Sequence, residues 1–174
     1  MGMGVGKSHT QNTGSVSWMQ TFVAGFLSIG IHAFLLKIAG FFQIQAESGG
    51  LLKLLALQLK SVGAYFNVEV KGLLAYLLPP PVWIWLVFHF LTGFLMVILY
   101  RLLLKGRLSN NVFTEGFLFS LFPWIINSFI VLPLLDQGIF GYQTIPFSGI
   151  LYFFIANSLF GVLFVLLNSK LNFK

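Results

Sequence analysis

Residues 82–104 read Val-Trp-Ile-Trp-Leu-Val-Phe-His-Phe-Leu-Thr-Gly-Phe-Leu-Met-Val-Ile-Leu-Tyr-Arg-Leu-Leu-Leu. This run of 23 residues holds one charge, Arg101, close to its end. Phe94-Leu95-Met96-Val97-Ile98-Leu99 puts six apolar side chains in succession. A barrel strand instead alternates polar and apolar residues over about ten positions. At about 1.5 Å of rise per residue, a helix of this length crosses a hydrocarbon core of about 30 Å. Backbone groups in lipid must be satisfied inside the segment, and a helix does this.

Three further runs read the same way: 17–42, 112–135 and 149–168, of 26, 24 and 20 residues. The whole chain agrees. Of its 174 residues 57% are hydrophobic, 21 are phenylalanine and 8% are charged, where soluble domains carry roughly a quarter charged residues. That excludes an ordinary soluble domain and a disordered chain, and the absence of cysteine excludes a disulfide-stapled module. The expected fold is all-α and integral to the membrane. Residues 17–174 form a single four-helix domain, preceded by a flexible cytoplasmic tail over 1–16.

The boundaries carry their own signals. Pro79-Pro80-Pro81 introduces the second span, since proline suits a helix start. Trp83 and Trp85 follow and are expected at the membrane surface. The short polar turn Lys105–Asn110 predicts that the second and third spans are antiparallel neighbours. Asp136-Gln137-Gly138 closes the third span.

Between the first two spans lie 38 residues, long for a bare loop. Within the segment 48–78, Leu51–Lys60 is apolar, with Lys53 and Lys60 seven residues apart and on nearly one helical face. This predicts an interfacial helix with its lysines toward phosphate or water. The alternative is a helix packed on its own bundle or on another subunit.

Lys7, Arg101, Lys105, Arg107, Lys170 and Lys174 flank one side of the spans, and Lys37, Lys53, Lys60 and Lys71 fall on the other. The denser, loop-proximal set places both termini in the cytoplasm. The first span, longer than a signal-peptide core and carrying His32 and Lys37, is expected to stay uncleaved. A net charge of +6 reads as topology and contact with anionic lipid, not with nucleic acid. Lys53, Lys60, Arg101, Lys105 and Arg107 are the expected headgroup contacts. Gly6-Lys7-Ser8 looks like the end of a phosphate-binding loop, but the required first glycine would fall at Met1.

The first span opens Phe22-Val23-Ala24-Gly25-Phe26-Leu27 and the third opens Phe113-Thr114-Glu115-Gly116-Phe117-Leu118. His89 stands four residues before Gly93, and Asn157 four before Gly161. The match predicts two helical hairpins repeated in parallel about an axis near the membrane normal. The competing account is chance, in a chain rich in Phe, Gly and Leu.

Gly116, Trp124, Pro133-Leu134 and Gly138-Ile139-Phe140-Gly141, with His89, Gly93 and Tyr100, give the chain a family likeness. It resembles a family of uncharacterised small bacterial membrane proteins, a domain of unknown function with H-x-x-x-G and P-L-x-x-G-x-F-G motifs. The resemblance covers about the last two thirds of the chain. It implies a four-helix architecture in a bacterial inner membrane and no activity. It also implies a histidine in the last helix, where this chain has Asn157.

Counted from the span ends, His32, His89, Asn127 and Asn157 fall at similar depths, one on each span. Polar groups inside a bilayer are costly and point to function by default. Three readings of this layer compete. It could be interhelical glue, with each hydrogen bond worth about 0.6–2 kcal/mol. It could hold b-type haem between His32 and His89 as axial ligands. Or it could line a quinone or lipid-headgroup pocket, with His and Asn donating to carbonyl oxygens. No catalytic constellation and no metal motif stands in the sequence. The leading expectation is therefore a non-enzymatic subunit packed into a larger membrane complex, respiratory or photosynthetic, with other membrane subunits and lipids as partners. A haem- or quinone-binding electron-transfer protein comes second, and a small channel or transporter third.

Overall fold

A computed structural model describes residues 17–46, 49–66, 72 and 80–171. The expected tail 1–16 and most of 67–79, the later part of the interfacial segment, lie outside the described residues. Among the described residues the long helices are, in order, α1 Trp18–Phe41, α2 Gly50–Tyr65, α3 Val82–Leu104, α4 Val112–Leu134 and α5 Phe147–Lys170. All but α2 are long and apolar enough to cross a membrane. The first three spans begin and end within one residue of the sequence reading. α5 is longer by two residues at each end, because Pro146 caps its start and its last turn runs on to Lys170.

Local chemistry sets these ends. Ser17 accepts from the Gln20 amide and donates its own N–H to the Gln20 side chain, a reciprocal cap on α1. Asn111 accepts from the amides of Phe113 and Thr114 and starts α4. At the other end of α4 the Gln137 N–H returns to the Leu132 carbonyl and the Asp136 N–H to the Pro133 carbonyl. That pairing stops the helix with a left-handed residue, Asp136 at φ 57. So the sequence reading of a glycine stop is amended: the left-handed position belongs to Asp136, and Gly138 lies two residues beyond. Two penalties meet at Asp136, a Cβ at positive φ and a carboxylate at a helix C-terminus. Asp136→Gly should therefore raise thermal stability in detergent, by about 1 kcal/mol. A lower melting temperature would show that the carboxylate has a favourable partner.

Glycines decide which helices touch. A Cβ on Gly116 would stand 2.6 Å from the Val162 Cα, and one on Gly161 2.6 Å from the Ser120 Cβ, so α4 and α5 meet backbone to backbone. On the other side of the bundle Gly25 faces Val97 and Gly93 faces Ile29, seating α3 on α1. α1 and α5 pack directly, tied by Tyr152, whose hydroxyl donates to the Leu35 carbonyl at 2.6 Å. The order around the bundle is thus α3–α1–α5–α4. The expected neighbours α3 and α4, joined by the short turn, scarcely approach each other along their backbones. Their glycines pair them elsewhere, and a cleft opens between them. α3 is accordingly the least covered span, with 11% of its most apolar stretch buried against 44% for α1.

One end of the cleft is closed. Tyr100 packs on Phe119 and Phe164 and hydrogen-bonds Glu115, which is buried and accepts from the Gly106 amide. Next to this lock the Arg101 guanidinium turns inward. It donates to the Ser17 carbonyl and to Thr21, and it lies over the Trp18 ring. Thr21 donates in turn to Asn168 on α5. Beside them partial burial, and then the Arg101 charge, lower the pKa of Lys105 from its ordinary value, with Glu115 opposing.

The apolar interior falls into two parts. One, at the Arg101 end, gathers Ala24, Ile29, Val97, Tyr100, Phe119, Phe160, Phe164 and Val165; the other gathers Ala33, Leu36, Trp85 and Ala156. α2 buries Gly50, Leu52, Ala56 and Gly63, approaches residues Asn127–Val131 of α4, and leaves Lys60 exposed. α2 therefore packs one face on its own bundle, which was the alternative the sequence left open, and keeps Lys60 exposed.

Candidate functional site

A cavity of about 170 Å³ occupies the cleft between α3 and α4. His32, His89, Asn127 and Asn157 all line it, so one side chain from each span converges there, joined by Thr92 and Trp85. The first turn of α2, Gly49 to Leu51, forms part of the wall. The site sits between the two apolar clusters.

At its centre the His32 Nδ1 lies 3.2 Å from the His89 Nε2. One nitrogen donates and the other accepts, since neutral imidazole carries one of each. The rings belong to a column. Lys37 lies 4.2 Å above the Trp85 ring, Trp85 stacks on His89 at 5.0 Å, His89 on His32 at 5.1 Å, and His32 packs on Phe160 at 5.6 Å. Trp85 is 4% exposed. The sequence placed its ring at the membrane surface beside that of Trp83; it is instead packed inside the protein, while Trp83 is 58% exposed. The column fixes both imidazoles by packing on each face.

Among the described residues, two polar atoms of these side chains are buried with no partner: the His32 Nε2 and the Asn127 Nδ2. Leaving such a group unmet costs about 1–3 kcal/mol. Asn157 and Thr92 are engaged by carbonyls of their own helices. The Asn157 Nδ2 donates to the Phe153 carbonyl at 2.8 Å, and the Thr92 hydroxyl lies 3.0 Å from the carbonyls of Phe88 and His89. Asn127 has a backbone reason for its direction. It opens a π-helical turn over Asn127–Val131, bracketed by Pro123 and Pro133. Pro133 has no N–H for the carbonyl four residues before it, so the ladder widens there.

Haem does not fit this arrangement. Two axial bonds of about 2 Å each would hold the ligand nitrogens about 4 Å apart across a porphyrin. Here they are at hydrogen-bond distance. A cavity of about 150 Å³ holds one benzene ring, and this one is of that order, far short of a macrocycle. A single six-membered ring fits.

Among the expected headgroup cations, Lys60, Lys105 and Arg107 are exposed and Lys53 is half-buried, whereas Arg101 is half-buried and engaged by Ser17 and Thr21. Sequence reasoning missed Thr92 and Trp85 as wall residues. A signal was present: Trp85, His89, Thr92, Met96 and Tyr100 recur at three- and four-residue intervals, one face of α3. No protein-family model matches the chain, and no curated protein or solved structure matches it.

Proposed function

We propose that this integral membrane protein binds a lipid-soluble molecule with a small oxygen-bearing ring, of the quinone class, in the cleft between α3 and α4. The observation carrying this reading is the convergence of His32, His89, Asn127 and Asn157 on a ring-sized cavity, with the His32 Nε2 and the Asn127 Nδ2 left without a partner among the described residues. Purely structural glue would satisfy those groups across helices, as Thr21 does with Asn168 and Tyr152 with Leu35. A ring with two oxygens would meet both once the two side chains turn toward it, and an apolar tail would leave through the cleft into lipid. The protein's part is recognition, with no residue assigned a chemical step.

Other features support finer readings. The basic side chains of the α3–α4 turn and the end of α5 favour a topology with both termini in the cytoplasm, in keeping with a bacterial inner membrane. Gly93 faces Ile29, four residues after Gly25, and Gly161 faces Ser120, four after Gly116. This likeness favours two repeated hairpins. A second reading, an accessory subunit of a larger respiratory or photosynthetic assembly, draws on the sparse coverage of α3. Co-purification at fixed stoichiometry tests it.

The ligand reading is tested in nanodiscs by titrating a short-tailed prenylated 1,4-benzoquinone and following indole quenching. Trp85→Phe assigns the signal. Saturable binding is expected, weakened about tenfold or more in His32→Phe and in Asn127→Leu, because each removes one hydrogen bond from a dry site. Non-saturable quenching, equal in all variants that elute as folded protein, would refute the reading.

A further inference from the structure

Away from the cleft, α1 and α3 meet along a second seam. Met19, Phe22, Val23, Phe26 and Leu27 recur at three- and four-residue intervals and so share one face of α1. With Phe94 of α3 they line an open apolar groove of about 580 Å³, which shares no lining residue with the α3–α4 cavity. Aromatic contacts join the two helices along it, Phe22 with Phe94 at 5.8 Å and Phe26 with Phe90 at 5.1 Å. From Met19 to Leu27 the helix rises about 12 Å, most of the roughly 15 Å that one leaflet contributes to the hydrocarbon core. That is the dimension of an acyl chain lying along the protein.

The head of the groove is basic. Trp18 stacks on Phe22 at 5.8 Å, and the Arg101 guanidinium lies 4.2 Å over the Trp18 ring. Bonds from the Arg101 Nη1 to the Ser17 carbonyl and to Thr21 hold that charge in place. Lys105 is exposed nearby. Partial burial, and then the Arg101 charge, lower its pKa, with Glu115 opposing. An anion beside the two cations relieves their repulsion.

We propose that this seam holds one anionic glycerophospholipid, its phosphate at Lys105 and Arg101 and one acyl chain along the groove from Met19 to Leu27. The cations select the headgroup, and the groove selects a lipid over a soluble phosphate. A zwitterionic lipid fills the groove equally but brings a cation of its own to Arg101 and Lys105, so it is held less well. The glycerol backbone then falls beside Trp18, whose ring suits the headgroup level. This site stands independently of the ligand assigned to the α3–α4 cleft.

The test uses the full chain, delipidated in detergent and given dioleoylphosphatidylglycerol or dioleoylphosphatidylcholine, with bound lipids counted by native mass spectrometry. Phosphatidylglycerol is expected to saturate at one retained lipid, with occupancy about fivefold above phosphatidylcholine at equal concentration. Lys105→Gln should lower that occupancy about threefold or more. Val23→Trp, which fills the groove without altering a charge, should lower it as much. Both changes fall on exposed side chains, so the bundle stays intact. Lys60→Gln, at an exposed lysine of α2, should retain lipid like the wild type, and soluble glycerol phosphate should not displace it. Equal retention of the two lipids, or equal loss in Lys60→Gln and Lys105→Gln, overturns the proposal by making the attraction diffuse. Undiminished retention in Val23→Trp, or displacement by glycerol phosphate, overturns it by removing the groove from the site.

Discussion

Leucine in place of Gly161 should prevent the bundle from assembling. The Cβ alone would press on the Gly116 carbonyl oxygen and stand 2.6 Å from the Ser120 Cβ and 3.0 Å from the Ser120 nitrogen. Two of those three neighbours are backbone, so no rotamer change relieves the contact. Overpacked interiors cost about 1–3 kcal/mol when side chains can yield, and here the helix axes themselves must part. Separation would also open the contact at Gly116, whose Cβ position meets Val162 and Gly161. Against a total stability of about 5–15 kcal/mol, most of the margin goes. Gly40→Leu is the control, because nothing lies within 4 Å of its Cβ position. Size-exclusion and thermal melting in detergent should show Gly161→Leu aggregated or strongly destabilised and Gly40→Leu close to the wild type. Equal melting of the two variants would mean that α4 and α5 do not meet as described.

Leucine at both His32 and His89 should leave the protein at least as stable as it is now, while abolishing ligand binding. Either single change is worse than the double. His89→Leu leaves His32 with two unmet nitrogens instead of one, at a cost of about 1–3 kcal/mol. Removing both partners takes away every unmet polar atom of the pair and replaces it with aliphatic volume between Trp85 and Phe160. A double-mutant cycle by detergent melting should therefore show a coupling of about that size. If the histidines were there to hold helices together, the double variant would melt lowest of the three. Stability retained with function lost is the pattern expected of groups kept for a ligand.

The four spans were legible because they depend on length and greasiness, which residues 82–104 display without help from any partner. The shared depth of His32, His89, Asn127 and Asn157 was legible too, since rise per residue converts position into height. Azimuth was not. Which way a side chain faces around its helix depends on which helices pair, and that was decided by close approaches at Gly25, Gly93, Gly116 and Gly161. The short turn 105–110 implied that α3 and α4 pack together, and loop length outweighed glycine placement in that reading. The left-handed Phe140, at φ 61, had no sequence signal. It is held by Trp124 at 5.3 Å and Phe129 at 4.9 Å. Two ring contacts of about 0.5–1.5 kcal/mol each offset a backbone cost of about 1–2 kcal/mol.

On the proposed reading, the ligand reaches the gap between α3 and α4 by lateral diffusion from a two-dimensional reservoir. Occupancy then follows the mole fraction of ligand among the lipids, not its concentration in buffer. Diluting the protein into excess micelles would empty the site without weakening a single contact.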